Sequence, residues 1–143
     1  MDKLRVEPGI VTGARLAEVY EYCKQVPCAL PAMNVISSST LNAGMQAAKE
    51  ANAPIILQFS NGGAHFNAGK FLDNSDEKAA VAGAIAGAQH VDIISREYGV
   101  PVILHTDHAA RKLLPWIDGL IAYGEQYYER NGRPLYSSHM LDL

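Results

Sequence analysis

Four short apolar runs separated by stretches of helical periodicity set the plan of this chain. The runs occupy residues 29–35, 54–59, 101–105 and, more weakly, 134–138. The second and third are continuous rather than alternating, as strands buried on both faces are. Between them, Leu41, Met45 and Ala48 recur at i, i+4 and i+7, and so do Val81, Ile85 and Ala88. That spacing marks one face of a helix. Ile117, Leu120, Ile121 and Tyr128 extend the pattern after Pro115, a residue suited to a first helical position. Alanine and glycine crowd residues 79–88, so the middle helix can lie close to a sheet. An earlier helix is predicted from about residue 14 to 24, with Thr12 as its cap.

The predicted order is one helix, then strand and helix three times, then a fourth strand. Alternation of this kind implies a parallel sheet with right-handed crossovers. Two α/β architectures share it: an open doubly wound sheet and part of an eight-stranded barrel. Periodicity alone does not separate them. An open sheet is complete at this length, whereas a full barrel takes about 250 residues. No internal repeat, low-complexity tract or linker interrupts residues 1–143, which read as one unit.

Composition narrows the function classes. Of 143 residues, 48% are hydrophobic and 19% charged, enough to build a core. The net charge of -3 leaves no electrostatic footprint for nucleic acid. No apolar run reaches the roughly 18 residues of a membrane span, and charges interrupt the first five positions, unlike a signal peptide. A soluble, cytoplasmic protein is expected, with no nucleic-acid or membrane partner. Cys23 and Cys28 lack a second ligand pair at zinc-finger spacing and read as reduced thiols near a strand start.

Each predicted strand ends in polar residues. Asn34 closes the first, Ser60-Asn61-Gly62-Gly63 the second, His105-Thr106-Asp107-His108 the third, and His139 with Asp142 the fourth. One polar strand end is an ordinary turn; four in register point to a shared site at the carboxyl face of a sheet. His105 and Asp107 share a side of their strand by the two-residue period, while His108 lies past its predicted end. Imidazole and carboxylate together suit zinc, though one local cluster supplies too few ligands for a closed site. Beside a metal, a carboxylate can instead serve as acid or base. The stretch Gly63 to Lys70 imitates a phosphate loop but fails its spacing: five residues separate Gly63 from Gly69, and Phe71 follows Lys70.

Read together, these segments resemble the class II, metal-dependent fructose-1,6-bisphosphate aldolases. The likeness is carried by Ala29-Leu30-Pro31-Ala32-Met33-Asn34-Val35, by Ala53-Pro54-Ile55-Ile56-Leu57-Gln58-Phe59-Ser60-Asn61-Gly62-Gly63-Ala64, and by Gly99-Val100-Pro101-Val102-Ile103-Leu104-His105-Thr106-Asp107-His108. Further blocks are Lys112-Leu113-Leu114-Pro115-Trp116-Ile117-Asp118-Gly119 and Pro134-Leu135-Tyr136-Ser137-Ser138-His139-Met140-Leu141-Asp142-Leu143. The resemblance implies a TIM (β/α)8 barrel, of which about the first four strands are present. It implies that His108 is a ligand of a catalytic zinc and that Asp107 is the catalytic acid/base. It further implies that Asn34 and Ser60 contact substrate, with Gln58 and Asn61 nearby. Asp142 matches a carboxylate that binds a second, non-catalytic divalent metal in some relatives. Ala109 stands where many relatives carry cysteine, with no chemical consequence expected.

The implied reaction is the reversible cleavage of fructose 1,6-bisphosphate into dihydroxyacetone phosphate and glyceraldehyde 3-phosphate, a step of glycolysis and gluconeogenesis. Zinc would serve as Lewis acid, and a homodimer is implied for the intact enzyme. The resemblance also implies that the remaining zinc ligands and the phosphate site come from a carboxyl-terminal half of the barrel. The chain alone is therefore expected to be an inactive amino-terminal portion. Other readings are a barrel completed by a second chain, a noncatalytic half-barrel that self-associates through its open edges, and an aldolase acting on tagatose 1,6-bisphosphate or a related ketose bisphosphate.

Overall fold

The computed structural model describes residues 6–143. It contains an α/β fold built on one parallel sheet of five strands. In chain order these are β1 (Gly9–Ile10), β2 (Ala32–Asn34), β3 (Ile55–Phe59), β4 (Pro101–Ala110) and β5 (Ser138–Asp142). The helices are α1 (Gly13–Gln25), α2 (Ser38–Ala51), α3 (Asn61–Ala68), α4 (Lys78–Tyr98) and α5 (Leu114–Asn131). All strand pairs are parallel, with β4 central: β3 lies on one side of it, and β1 and β5 share the other. β2 follows beyond β3.

The sequence reading of four strands is corrected to five. β1 is two residues long, too short for any periodic signal, and exists because it pairs with Pro101 and Val102 at the start of β4. The last strand also shifts, from the expected 134–138 to Ser138–Asp142. Leu135 and Tyr136 are apolar for another reason: they are buried against the helices, and the Tyr136 hydroxyl donates to the carbonyl of Ala84. β4 is twice the length expected and runs through His108, which therefore belongs to the strand. Ser137 marks where β4 exchanges one neighbour for the other. Its hydroxyl donates to the Val11 carbonyl at 2.6 Å and accepts from the Leu104 amide at 3.0 Å.

The sheet is covered on both faces, which explains its continuous apolar strands. On one face, Leu57, Phe59, Val102 and Leu104 pack with Leu41 and Met45 of α2, the alanines of α4 and Trp116 of α5. On the other, Ile103 packs with Val11 and Val19, joined by Leu16 of α1 and Ile56. Thr12 occupies the expected cap position of α1 but makes no side-chain capping bond. The next helix is better signalled: Ser37 and Thr40 form a reciprocal capping box.

Of the glycines among the alanines of α4, Gly87 lies close to the sheet as the sequence suggests, whereas Gly83 lies close to α3 instead. A methyl group on Gly87 would lie 2.2 Å from the Phe59 ring, and one on Gly83 would lie 1.9 Å from the Ala64 carbonyl oxygen of α3. The Gly83 contact is backbone against backbone, so no side-chain rotation relieves it. Gly83→Ala is therefore expected to destabilise the chain by about 3 kcal/mol, the upper part of the overpacking range. Gly62→Ala, with open space around its added methyl, should change stability by less than about 0.5 kcal/mol. Urea-denaturation midpoints of the two variants check the contrast.

Candidate active site

The strand register aligns a polar row across four strands. Asn34 pairs with Gln58, Gln58 with His105, and His105 with Ser138. One layer below, Ile56 pairs with Ile103, so the change from apolar to polar is sharp. It falls where the chain passes from the α1-covered interior to the carboxyl ends of the strands.

Within this row the side chains meet in a defined sequence. The Gln58 side-chain amide donates to Asn34 Oδ1, and Asn34 Nδ2 donates to Asp107 Oδ2 at 2.9 Å. Asn34 and Asp107 stand on strands that are not neighbours, so this bond passes over β3. Such a contact needs a curled sheet, in which residues of alternate strands fill one layer, as they do inside a barrel. Asp107 is only 16% exposed in its side chain, and its second oxygen lies 3.8 Å from His108 Nε2. The other ring nitrogen of His108 lies 3.3 Å from Asp142 Oδ2, and both of these side chains are largely exposed. The irregularity in β4–β5 pairing between Thr106 and Ala109 coincides with this turn of the chain, and it re-aims His108 toward Asp142.

Four of the five sequence-derived site residues, Asn34, Asp107, His108 and Asp142, thus form one connected group. Ser60 stands apart from them in its bonding. It directly follows β3 and caps α3, its hydroxyl oxygen accepting from the Gly63 amide at 3.1 Å. The polar stretch Asn61-Gly62-Gly63 that follows the second strand is the first turn of α3. Sequence reasoning missed this helix because Asn61-Gly62-Gly63 are poor helix formers. Gln58 carries a larger structural part than its place in the sequence signalled, since register alone sets it beside Asn34.

Two further pairs buttress the row from β5. His105 Nδ1 lies 2.8 Å from Ser138 Oγ, and Thr106 Oγ1 lies 3.0 Å from His139 Nδ1. Burial, with a smaller contribution from His105, pushes the His139 pKa down from 6.5 to about 4. Its ring is therefore neutral in the fold at neutral pH. The unfolded chain binds a proton near pH 6.5 that the folded chain refuses until about pH 4, so stability rises with pH across that interval. As pH falls from 6.5 toward 4, the loss from this group should approach 3 kcal/mol, on the order of 1.4 kcal/mol per pKa unit. Urea titrations across the window test this, and His139→Gln should flatten the slope.

The donor chemistry around His108 suits zinc in kind: an imidazole with carboxylates beside it. It falls short in number. Among the described residues no group of three histidine, cysteine, aspartate or glutamate side chains is placed to hold a metal ion.

A parallel sheet that gathers amides, imidazoles and carboxylates at the carboxyl ends of its strands is what a segment of a (β/α) barrel enzyme presents. The comparisons define the kind. The chain belongs to the class II fructose-bisphosphate aldolase family, whose model, Fructose-bisphosphate aldolase class-II, matches residues 14–143. It is 55% identical over 138 residues to a fructose-bisphosphate aldolase of Campylobacter jejuni, covering 96% of this chain and 38% of that protein. It is 50% identical over 139 residues to fructose-bisphosphate aldolase class 2 of Escherichia coli, covering 96% and 39%. The crystal structure of a Campylobacter jejuni fructose-bisphosphate aldolase superposes with a TM-score of 0.91 at 54% identity, covering 96% of this chain and 39% of the other. The chain thus spans about two fifths of the length of these relatives. No helix among the described residues is long and apolar enough to cross a membrane.

Proposed function

We propose that this segment supplies the amino-terminal share of an active site that reversibly cleaves fructose 1,6-bisphosphate into dihydroxyacetone phosphate and glyceraldehyde 3-phosphate. The observation that carries the reading is the Asn34–Asp107 bond across β3 with His108 beside it. That arrangement holds a carboxylate at fixed orientation next to a metal-type ligand. In cleavage, Asp107 accepts the C4 hydroxyl proton as the C3–C4 bond breaks, the C4 hydroxyl becomes the aldehyde, and the bond's electron pair moves toward the C2 carbonyl. In condensation Asp107 returns the proton. Asn34 holds Asp107 through one oxygen and leaves the other facing the reaction. Ser60, at the mouth of α3, is assigned to substrate contact, as is Asn34.

His108 would be one ligand of a zinc ion, which would supply Lewis-acid chemistry toward the substrate carbonyl; the other ligands would come from beyond this segment. Asp142 is assigned to a second, non-catalytic divalent cation. The full enzyme is a homodimer in this reading. The test joins the 143-residue chain to the complementary remainder of the Campylobacter jejuni relative and follows cleavage of fructose 1,6-bisphosphate and of tagatose 1,6-bisphosphate. Faster turnover of the fructose ester supports the proposal, and preference for the tagatose ester would reassign the substrate.

A second reading has its own observation. β2 pairs only with β3, and β5 only with β4, among the described residues. Open parallel edges favour pairing with another chain, so a noncatalytic, self-associated half-barrel is the outcome to look for where the joined assembly shows no cleavage.

A further inference from the structure

At the opposite end of the sheet lies a pair of thiols that the aldol chemistry does not use. α1 stops at Gln25, and the Val26 amide still reaches back to the Tyr22 carbonyl. Pro27 has no amide hydrogen to continue the helix. The chain turns back, and the Cys28 amide donates to the Cys23 carbonyl oxygen at 3.1 Å. With standard backbone dimensions, a bond of that length keeps the two α-carbons within about 7 Å. That is the outer limit over which a disulfide closes without moving the backbone.

The two thiols differ in surroundings. Cys28 is exposed and Cys23 half-buried, and both are free. Burial, reinforced by the Cys28 side chain, raises the Cys23 thiol above its ordinary value, so Cys28 is the better first nucleophile and Cys23 the poorer one. Cys28 also lines a cavity of about 600 Å³ bordered by Tyr22, Leu30, Lys49, Tyr98 and Pro101. This cavity gives a small molecule room to approach. These two are the only cysteines in the chain, and their contact joins the end of α1, the helix on the Ile103 face, to the segment that leads into β2.

We infer that Cys23 and Cys28 form a redox-modifiable dithiol that low-molecular-weight disulfides oxidise to an intrachain disulfide. In the first step the Cys28 thiolate attacks one sulfur of the small disulfide, forming a mixed disulfide and releasing one thiolate. In the second, Cys23 loses its proton to solvent and its sulfur displaces the second thiolate from Cys28. The two cysteine thiols are oxidised by two electrons, and one small disulfide is reduced to two thiols. The product staples the end of α1 to the approach to β2. The inference is independent of the proposed aldol reaction.

The experiment incubates the 143-residue chain with oxidised glutathione and follows intact mass, with peptide mapping of the product. The expected product is two hydrogens lighter, carries a Cys23–Cys28 link, retains no glutathione and reverts with dithiothreitol. Cys23→Ser should stall as a glutathione adduct on Cys28. Cys28→Ser should form its adduct at least about tenfold more slowly than Cys23→Ser, because the remaining thiol is the sheltered one. A lasting adduct on wild-type Cys28, unreacted thiols, or only chain-to-chain disulfides would overturn the inference. Equal reaction rates for the two serine variants would overturn the assigned order of attack.

Discussion

The 143-residue chain, supplied with zinc and fructose 1,6-bisphosphate, is expected to give no aldol cleavage at the level of an enzyme. The reason is a count of ligands. A catalytic zinc takes three protein ligands and keeps one position open, and the described residues bring no such group of three together. His108 has carboxylates at 3.8 and 3.3 Å, but one imidazole in an exposed position holds zinc weakly. An oriented carboxylate alone contributes roughly 10²- to 10⁴-fold, far below the 10⁶-fold or more typical of enzymes. Joining the chain to the complementary remainder of a relative should restore turnover by several orders of magnitude. A coupled assay of triose phosphate release, with native mass spectrometry for zinc and subunit masses, checks this. Turnover by the chain alone at the level of an intact aldolase would refute the idea that the site is shared with a second segment.

Within that joined assembly, Asp107→Ala is expected to lower kcat by about 10³-fold, inside the range of a positioned acid/base, while bound zinc stays at wild-type content. Asp107 is tied to Asn34 by a single bond at 2.9 Å, so its loss frees a surface amide and leaves the strands intact. Loss of zinc with Asp107→Ala would make this carboxylate a metal ligand in place of an acid/base. His108→Ala should behave in the opposite way, reducing zinc content first and turnover as a consequence. His108 and Asp142 are both largely exposed, so His108→Ala should change the stability measured by urea titration by less than about 0.5 kcal/mol.

Much of the fold was legible along the chain, and the exceptions share a cause. Continuous apolar runs marked β3 and β4 because both sheet faces are covered; i, i+4, i+7 spacing marked α2 and α4, and helical spacing after Pro115 marked α5. β1 and α3 escaped because their formation depends on partners: the opening of β4 for the one, and the cap from Ser60 with packing on Gly83 for the other. The fourth run was displaced because Leu135 and Tyr136 are apolar as core residues, and hydrophobicity does not distinguish core from strand. His108 was placed past its strand because a bulge carries no local signature.

For the candidate site, residue types and order along the chain determined which groups end each strand: an amide at Asn34, a hydroxyl at Ser60, carboxylates at Asp107 and Asp142, and imidazole at His108. The blocks around them were enough to establish the family. Only the tertiary structure decided which of these groups meet. Asn34 and Asp107 are 73 residues apart and on strands that do not pair; they touch because the sheet curls over β3. Ser60 remained outside that group because its hydroxyl oxygen accepts from the Gly63 amide. A sequence specifies the chemistry of each strand end, whereas register and curvature, set by packing on both faces of the sheet, select the neighbours.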